Sequence, residues 1–405
     1  MYRGTGVIIM KDSSPFTPGS PVPIDLFVGR TAQIGEILQY VKNASSGRQE
    51  NIFLTGSRAI GKSSLAYYIR DLVTTKEQFL CVHVHLGSAH SVDEVVYHIF
   101  DSILKETYGQ SLFTKVSDFF KDHIQSADLF GITFTFKPPK GQLEDLKLNF
   151  PQALKNVIDR IQDDRKGIFI ILDDIDGLAK SQEFANWYKS FVDYVATHYS
   201  GKFPILMMPI GLPEQKDSLG EQQGSLLRIF RPIHIDRLSE DEVRSFFKKA
   251  FGKVNIKIDE EAMKVLVEYS SGVPSLIHEI GDAIYWKDEN QRITKVDALV
   301  GVATAADRVG QKYLDPKVYR AIRSDRYKAI LDKIGQKFSS QFTKKDIERS
   351  LTQSEKKVFH NFLTRMTELG VIIPDKEQSL GVYKFENELY ALYIYFISVS
   401  NKTKK

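Results

Sequence analysis

The sequence predicts an α/β protein: a parallel sheet with helices on both faces, then an α-helical segment, then a C-terminal module of helices and a β-hairpin. Three observations carry this. First, short β-rich apolar runs at 52–54, 79–86, 167–172 and 203–208 alternate with segments of helical spacing. Continuous apolar runs suit strands buried on both faces, and strand–helix alternation implies a parallel sheet. Second, the strand pattern stops near Ser239 and helical periodicity takes over. Third, 405 residues exceed one ordinary core, so two or three domains are expected.

Taken in order, residues 12–23 hold four prolines and three serines and read as an extended entry segment. Ile34, Ile37, Leu38 and Val41 then mark a helix closed by Ser45-Ser46-Gly47. The strand 52–54 runs into Gly56-Ser57-Arg58-Ala59-Ile60-Gly61-Lys62-Ser63, and 65–69 opens a helix after it. This is the pattern Gly, four residues, Gly-Lys-Ser/Thr in the strand-to-helix setting its chemistry needs. Glycines let successive N–H groups curl toward phosphate oxygens, and the helix N-terminus adds partial positive charge. Lys62 is expected to reach the β- and γ-phosphates of ATP, with Ser63 on Mg²⁺ and Ser64 lining the site.

The strand 79–86 ends in Gly87-Ser88, and Val92, Val95, Val96, Ile99 and Ile103 have amphipathic helix spacing. Residues 108–147 read as an insertion in the sheet domain, with 132–136 alternating like a strand and Pro138-Pro139-Lys140-Gly141 like a turn. Ala153, Val157, Ile158 and Ile161 mark the helix before the run 167–172, which ends in Asp173-Asp174. Acids at the carboxyl end of a parallel strand lie where ligands bind. Asp173 is expected to hold Mg²⁺ and Asp174 to activate the attacking water. A helix over 187–199, the strand 203–208 and a last strand 233–235 complete the sheet domain, 24–238.

Ser239 and Glu242 form a capping box, and helices over 260–269, 274–286 and 295–308 follow, giving a helical lid over 239–310. Beyond it, Tyr327, Ile330, Leu331 and Ile334 predict one helix, 343–351 a short second and 354–369 a third that stops at Gly370. Strands at 371–373 and 382–385 follow. Helix, short helix, helix, hairpin is the order of a winged helix-turn-helix, placed at 311–399 before a basic tail, 400–405.

Residues 301–405 hold 20 Lys/Arg against 12 Asp/Glu, an excess of +8, whereas the whole chain carries +4 and the first 300 residues −4. That asymmetry points to an anionic partner. Lys344, Lys345, Arg349, Lys356, Lys357 and Arg365 sit on the expected helix-turn-helix, where they either contact duplex DNA or form a solvated face. His83, His85, His90, His98 and His123 read as no metal set, with His83 and His85 as core or sheet-edge residues. Cys81 is the single cysteine, which rules out an internal disulfide framework and fits a reducing compartment. No apolar run approaches the roughly 20 residues of a membrane span, and residues 6–10 are too short for a signal-peptide core. A cytoplasmic location is expected.

Phe27-Val28-Gly29-Arg30, the phosphate loop, Leu172-Asp173-Asp174 and Gly272-Val273-Pro274 occur in that order ahead of a winged-helix-like end. This resembles the prokaryotic AAA+/STAND P-loop ATPases, close to the archaeal-type ATPases and more distantly the replication initiators, over roughly residues 15 to 395. The resemblance implies that Val28, Gly29 and Arg30 lie near the adenine, and that Pro274 touches the base from the lid. Gly272 and Pro274 also read as an ordinary helix break with proline at a helix start. Asp174 departs from the Glu common in strongly hydrolysing relatives. Pro209-Ile210-Gly211 stands where a polar sensor is expected, and Pro274-Ser275-Leu276-Ile277-His278 carries no lid arginine. Arg228 and Arg231 are the arginine-finger candidates, each also read as a surface arginine. The reading is a slow ATPase acting as a switch, in which ATP and Mg²⁺ close the lid and reposition the winged helix. The alternative is an ATP-dependent DNA-binding protein, initiator- or transposition-regulator-like. Self-association or a protein partner fits either, and a kinase is disfavoured by the missing phosphate-binding arginines.

Overall fold

The computed structural model describes residues 11–107, 112–120, 124–127, 134–136, 138, 141–336, 339–375 and 381–403. Expectations for residues 6–10, His123, Pro139, Lys140, Lys404 and Lys405 fall outside these. The chain forms two compact units. One is Pro23–Asp236; the other joins the segment before it to everything from Arg237 onward.

The first unit starts with α1 (Thr31–Ser45), β1 (Gln49–Thr55), α2 (Lys62–Leu72), β2 (Leu80–His85) and α3 (Val92–Thr107). The expected insertion then holds α4 (Leu112–Ser117), an antiparallel pair β3 (Ile124–Ala127) and β4 (Phe134–Phe136), and α5 (Gln142–Leu148). After it come α6 (Phe150–Ile161), β5 (Ile168–Asp173), α7 (Gln182–His198), β6 (Ile205–Gly211), α8 (Pro213–Gln222), α9 (Leu226–Ile229) and β7 (Arg231–His234). Five strands form one parallel sheet in the order β2-β5-β6-β1-β7. Alternation along β1 feeds two cores: Phe53 packs on the face of α3, α6 and α7, while Ile52 and Leu54 pack on the face of α1 and α2. The predicted parallel sheet with flanking helices is therefore present.

Boundaries moved in places. Helix α7 begins at Gln182, five residues before the expected 187, because Ser181 caps it by accepting from the Phe184 N–H. Pro209-Ile210-Gly211 lies inside β6 instead of following it.

The second unit contains α10 (Glu240–Lys253), β8 (Lys257–Ile258), α11 (Glu260–Ser270), α12 (Pro274–Lys287), β9 (Arg292–Ile293) and α13 (Lys295–Val309). The Ser239–Glu242 capping box forms as expected. The boundary drawn at Gly310 does not correspond to a break. The chain runs on from α13 in wider π-type turns over Gly310–Arg320. Gly310 is needed for closeness, since a Cβ there would stand 2.1 Å from the Tyr393 ring. The entry segment belongs here too: Phe16 is buried against Phe246, Phe251 and His278.

The chain ends with α14 (Asp325–Gly335), β10 (Gln341–Thr343), α15 (Lys344–Ser350), α16 (Gln353–Lys356), α17 (Phe359–Glu368), β11 (Ile372–Pro374), β12 (Val382–Phe385) and α18 (Glu388–Thr403). The strands pair antiparallel in the order β10-β12-β11. Three expectations change. The third helix is split in two at Lys357-Val358, β10 is added, and the basic tail is helical through Thr403. Aromatic and β-branched residues crowd α18 and hide its helical period. It is buried at Leu389, Ala391, Tyr393, Ile394 and Ser398, which lie on more than one side of the helix, as expected of a helix packed into a core.

Candidate functional site: a phosphate loop facing paired carboxylates

The parallel register brings the carboxyl ends of β1, β5 and β6 to one edge, with Thr55 beside Gly211 and Leu172 beside Pro209. The loop 56–61 leaves that edge. Gly56 has no room for a side chain, since a Cβ would lie 2.6 Å from the Ile235 carbonyl oxygen. Ser57, Arg58 and Ala59 are exposed at the tip, and Ile60 is buried as its anchor. Ala59 (φ 61°) and Gly61 (φ 93°) are both left-handed, which curls the loop. Gly61 caps α2 and offers no side-chain acceptor to its first turn. Lys62 Nζ donates to the carbonyls of Gly56 at 2.9 Å and Ser57 at 2.8 Å. Burial lowers the Lys62 pKa, against the opposing pull of Asp173 and Asp176.

Asp173 is buried at the end of β5. Burial by itself would raise its pKa, but the His83 hydrogen bond and charge, the Ser63 hydroxyl and His85 outweigh that and lower it. Asp174 turns through a left-handed backbone with φ 60°. Its pKa is raised by burial, then by its hydrogen bond to Asp176 and the charges of Asp176 and Asp173. Arg58 pairs with Asp176 at 3.6 Å, and the Gln215 amide donates to Asp176. Gly87 leaves space for Asp174; a Cβ there would meet its Oδ2 at 2.6 Å. The described residues thus gather the loop, Ser63, Asp173 and Asp174 at one sheet edge. A curled loop rich in N–H donors suits phosphate, and a hydroxyl beside a carboxylate suits Mg²⁺.

The segment Phe27-Val28-Gly29-Arg30 is tied to the same loop. Phe27 stacks on Tyr68 of α2 at 4.4 Å, and buried Arg30 donates from Nη2 to the Ile60 carbonyl at 3.2 Å. Gly29 (φ 72°) and Arg30 (φ 61°) turn the chain into α1. Pro274 belongs to the other unit, at the start of α12. There Gly272 (φ 68°) is required because a Cβ would stand 2.3 Å from the Leu238 carbonyl oxygen. Arg228 and Arg231 are exposed.

Sequence reasoning missed four partners. Asp176 was visible as a third acid two positions after Asp174. Gly87 and the histidines were not, because strand order is needed to bring β2 beside β5. His83 Nε2 lies 3.0 Å and His85 Nδ1 3.9 Å from Asp173 Oδ2, and Tyr67 Oη lies 3.1 Å from His85 Nε2. His83 is buried and His85 exposed, as core and edge residues, but both face the site. Burial and the neighbouring His83 lower the His85 pKa.

A family model described as the AAA ATPase domain matches residues 26–187. A protein of Methanocaldococcus jannaschii, described as an uncharacterized HTH-type transcriptional regulator, is 24% identical over 282 residues, covering 65% of each chain. This chain therefore spans just under two thirds of that relative's length. Among solved structures, the Aeropyrum pernix ORC2 protein, in ADPNP–ADP complexes, aligns with TM-score 0.59 at 13% identity over 98% of this chain and 99% of its own. A Walker-type ATPase of Pyrococcus abyssi aligns with TM-score 0.54 at 15% identity over 91% and 96%. These likenesses show a shared fold. The loop, the acids at the sheet edge and the domain match agree: residues 26–187 carry an AAA-type P-loop ATPase domain, and the chain is a distant relative of the P-loop ATPases in fold.

Proposed function

We propose that this ATPase is an ATP-dependent DNA-binding protein. The observation that carries the reading is the C-terminal group of helices with a three-stranded antiparallel sheet, which bears exposed lysines on α15 and α16. Its element order supports a winged helix-turn-helix. The transcriptional-regulator description of the M. jannaschii relative supports the same reading.

At the nucleotide site, Lys62 gives its ammonium to the β- and γ-phosphates after leaving the Gly56 and Ser57 carbonyls. Ser63 and Asp173 would hold Mg²⁺, which would supply neutralisation of phosphate charge. Asp174 accepts the proton of the attacking water, and its raised pKa suits that exchange. Val28, Gly29 and Arg30 lie toward the base, since Arg30 is bonded to the phosphate loop. The test is binding of a duplex by the full chain in ATP, ADP and no nucleotide. Tighter binding in one nucleotide state is the expected result; equal and negligible binding in all three overturns the reading.

A second reading is a slow nucleotide switch whose helical lid, 239–310, and C-terminal module respond to ATP with no DNA involved. Aspartate at position 174, one methylene shorter than Glu, favours it. Turnover unchanged by saturating duplex supports the switch, and turnover stimulated by duplex supports the DNA-binding protein.

A further inference from the structure

We propose that His83, His85 and Asp173 form a binding site for a divalent transition-metal ion of the zinc class. β2 and β5 are parallel neighbours, and the register sets His85 directly beside Asp173. His83 and His85 are two residues apart, so both project from the same sheet face, and their rings stack at 4.5 Å. One donor atom from each of the three residues lies within 4.8 Å of the others. Zn²⁺ draws nitrogen and oxygen ligands to about 2.0–2.2 Å, so modest inward rotations complete the set. Two imidazoles and one carboxylate match zinc, whereas Mg²⁺ takes oxygen ligands.

Two further observations point to an ion. The first is the outer contact of His85. Tyr67 Oη lies 3.1 Å from His85 Nε2, and in the tautomer that donates Nε2–H to it, Nδ1 keeps its lone pair on the side of Asp173. Metal-bound histidines are oriented by such outer partners. The second is the His83 side chain, only 1% exposed, whose Nδ1 has no hydrogen-bond partner. Its Nε2 is held 3.0 Å from Asp173 Oδ2, so a bound ion would take the place of the proton shared between them. The His85 side chain, 57% exposed, provides the entry path. Three protein ligands leave a fourth position open to water or to an anionic ligand.

An ion held there occupies Asp173 and withholds it from Mg²⁺. That consequence rests on the Mg²⁺ role proposed for Asp173; the metal site does not. The test titrates zinc sulfate alone into the nucleotide-free full chain, by calorimetry with a competing chromophoric chelator. One saturable site is expected. His85→Ala, at an exposed position the fold tolerates, weakens it at least tenfold, and Tyr67→Phe weakens it roughly 10- to 100-fold. His360→Ala, on the exposed side of α17, leaves it unchanged. Absence of saturable binding, or equal binding by His85→Ala and the wild type, overturns the proposal. Zinc binding that persists while ATP binding proves independent of Mg²⁺ supports the metal site and overturns the Mg²⁺ assignment instead.

Discussion

At the scale of single residues, the candidate site sets a cation, Lys62, near two carboxylates, Asp173 and Asp174, in unlike surroundings. Among the described residues, Lys62 hydrogen-bonds only carbonyls of its own loop. Lys62→Ala is therefore expected to leave the fold intact and abolish tight ATP binding, because a point charge facing the phosphates is lost. Fluorescent-nucleotide titration with circular dichroism checks both halves. Unchanged affinity in a folded variant contradicts the assignment. Asp173→Asn should weaken Mg²⁺-dependent binding. Asp174→Asn should spare binding and slow turnover by roughly 10²- to 10⁴-fold. Asparagine tolerates the left-handed backbone at 174, so that variant tests charge and not strain. Equal loss of binding in both variants means the roles are not divided this way. The loop and both acids were legible in the sequence because each is contiguous. The histidine neighbours of Asp173 were not, because they come from a strand 88 to 90 positions earlier and are brought in only by sheet order.

At the scale of elements, the extended segment before the sheet unit is held by the Phe16 ring, the His278 imidazole and hydrogen bonds that join Lys11 and Asp12 to Tyr285. Phe16 fills a space that Gly281 keeps open, since a Cβ on Gly281 would stand 2.1 Å from the Phe16 ring. The His278 Nδ1 accepts the Thr17 N–H at 2.9 Å, which requires the neutral ring. Burial lowers the His278 pKa to about 4. A histidine depressed in the folded state contributes stability that is complete above its unfolded pKa of about 6.5 and is lost as pH falls toward 4. Urea unfolding of the wild type should lose roughly 3 kcal/mol across that window, at 1.36 kcal/mol per pKa unit. His278→Asn should flatten the dependence, and an equally steep curve in that variant assigns the loss to other groups. Sequence reasoning saw the prolines of this segment but not its destination. Phe16 and its partners are more than 200 residues apart, and periodicity reports only local structure. The same limit explains α18, whose apolar residues lack a helical signature until their neighbours are known.

At the scale of the whole molecule, charge is the readable property. Three of the six basic residues on α15–α17 are compensated within their own helices: Lys344 by Glu348, Arg349 by Asp346 and Arg365 by Glu368. Lys345, Lys356 and Lys357 have no carboxylate partner among the described residues and are exposed. If these lysines touch phosphates, duplex affinity falls with salt at a log–log slope near −0.9 per contact. Replacing the three by Ala should then reduce the slope by up to roughly 2.7 units. Filter binding across a salt series decides it, and a slope unchanged by the substitutions removes DNA contact from these helices. The interrupted course of the second unit has a separate consequence, for biosynthesis. Its first piece leaves the ribosome before residue 23, and the α10 and α12 surfaces that receive Phe16 are made only after the entire sheet unit. At roughly 5–20 residues per second, that strand of chain waits tens of seconds with an aromatic ring uncovered. Its three prolines hold it extended and poor in backbone donors over that interval, which makes it a weak template for aggregation while its partner is still being synthesised.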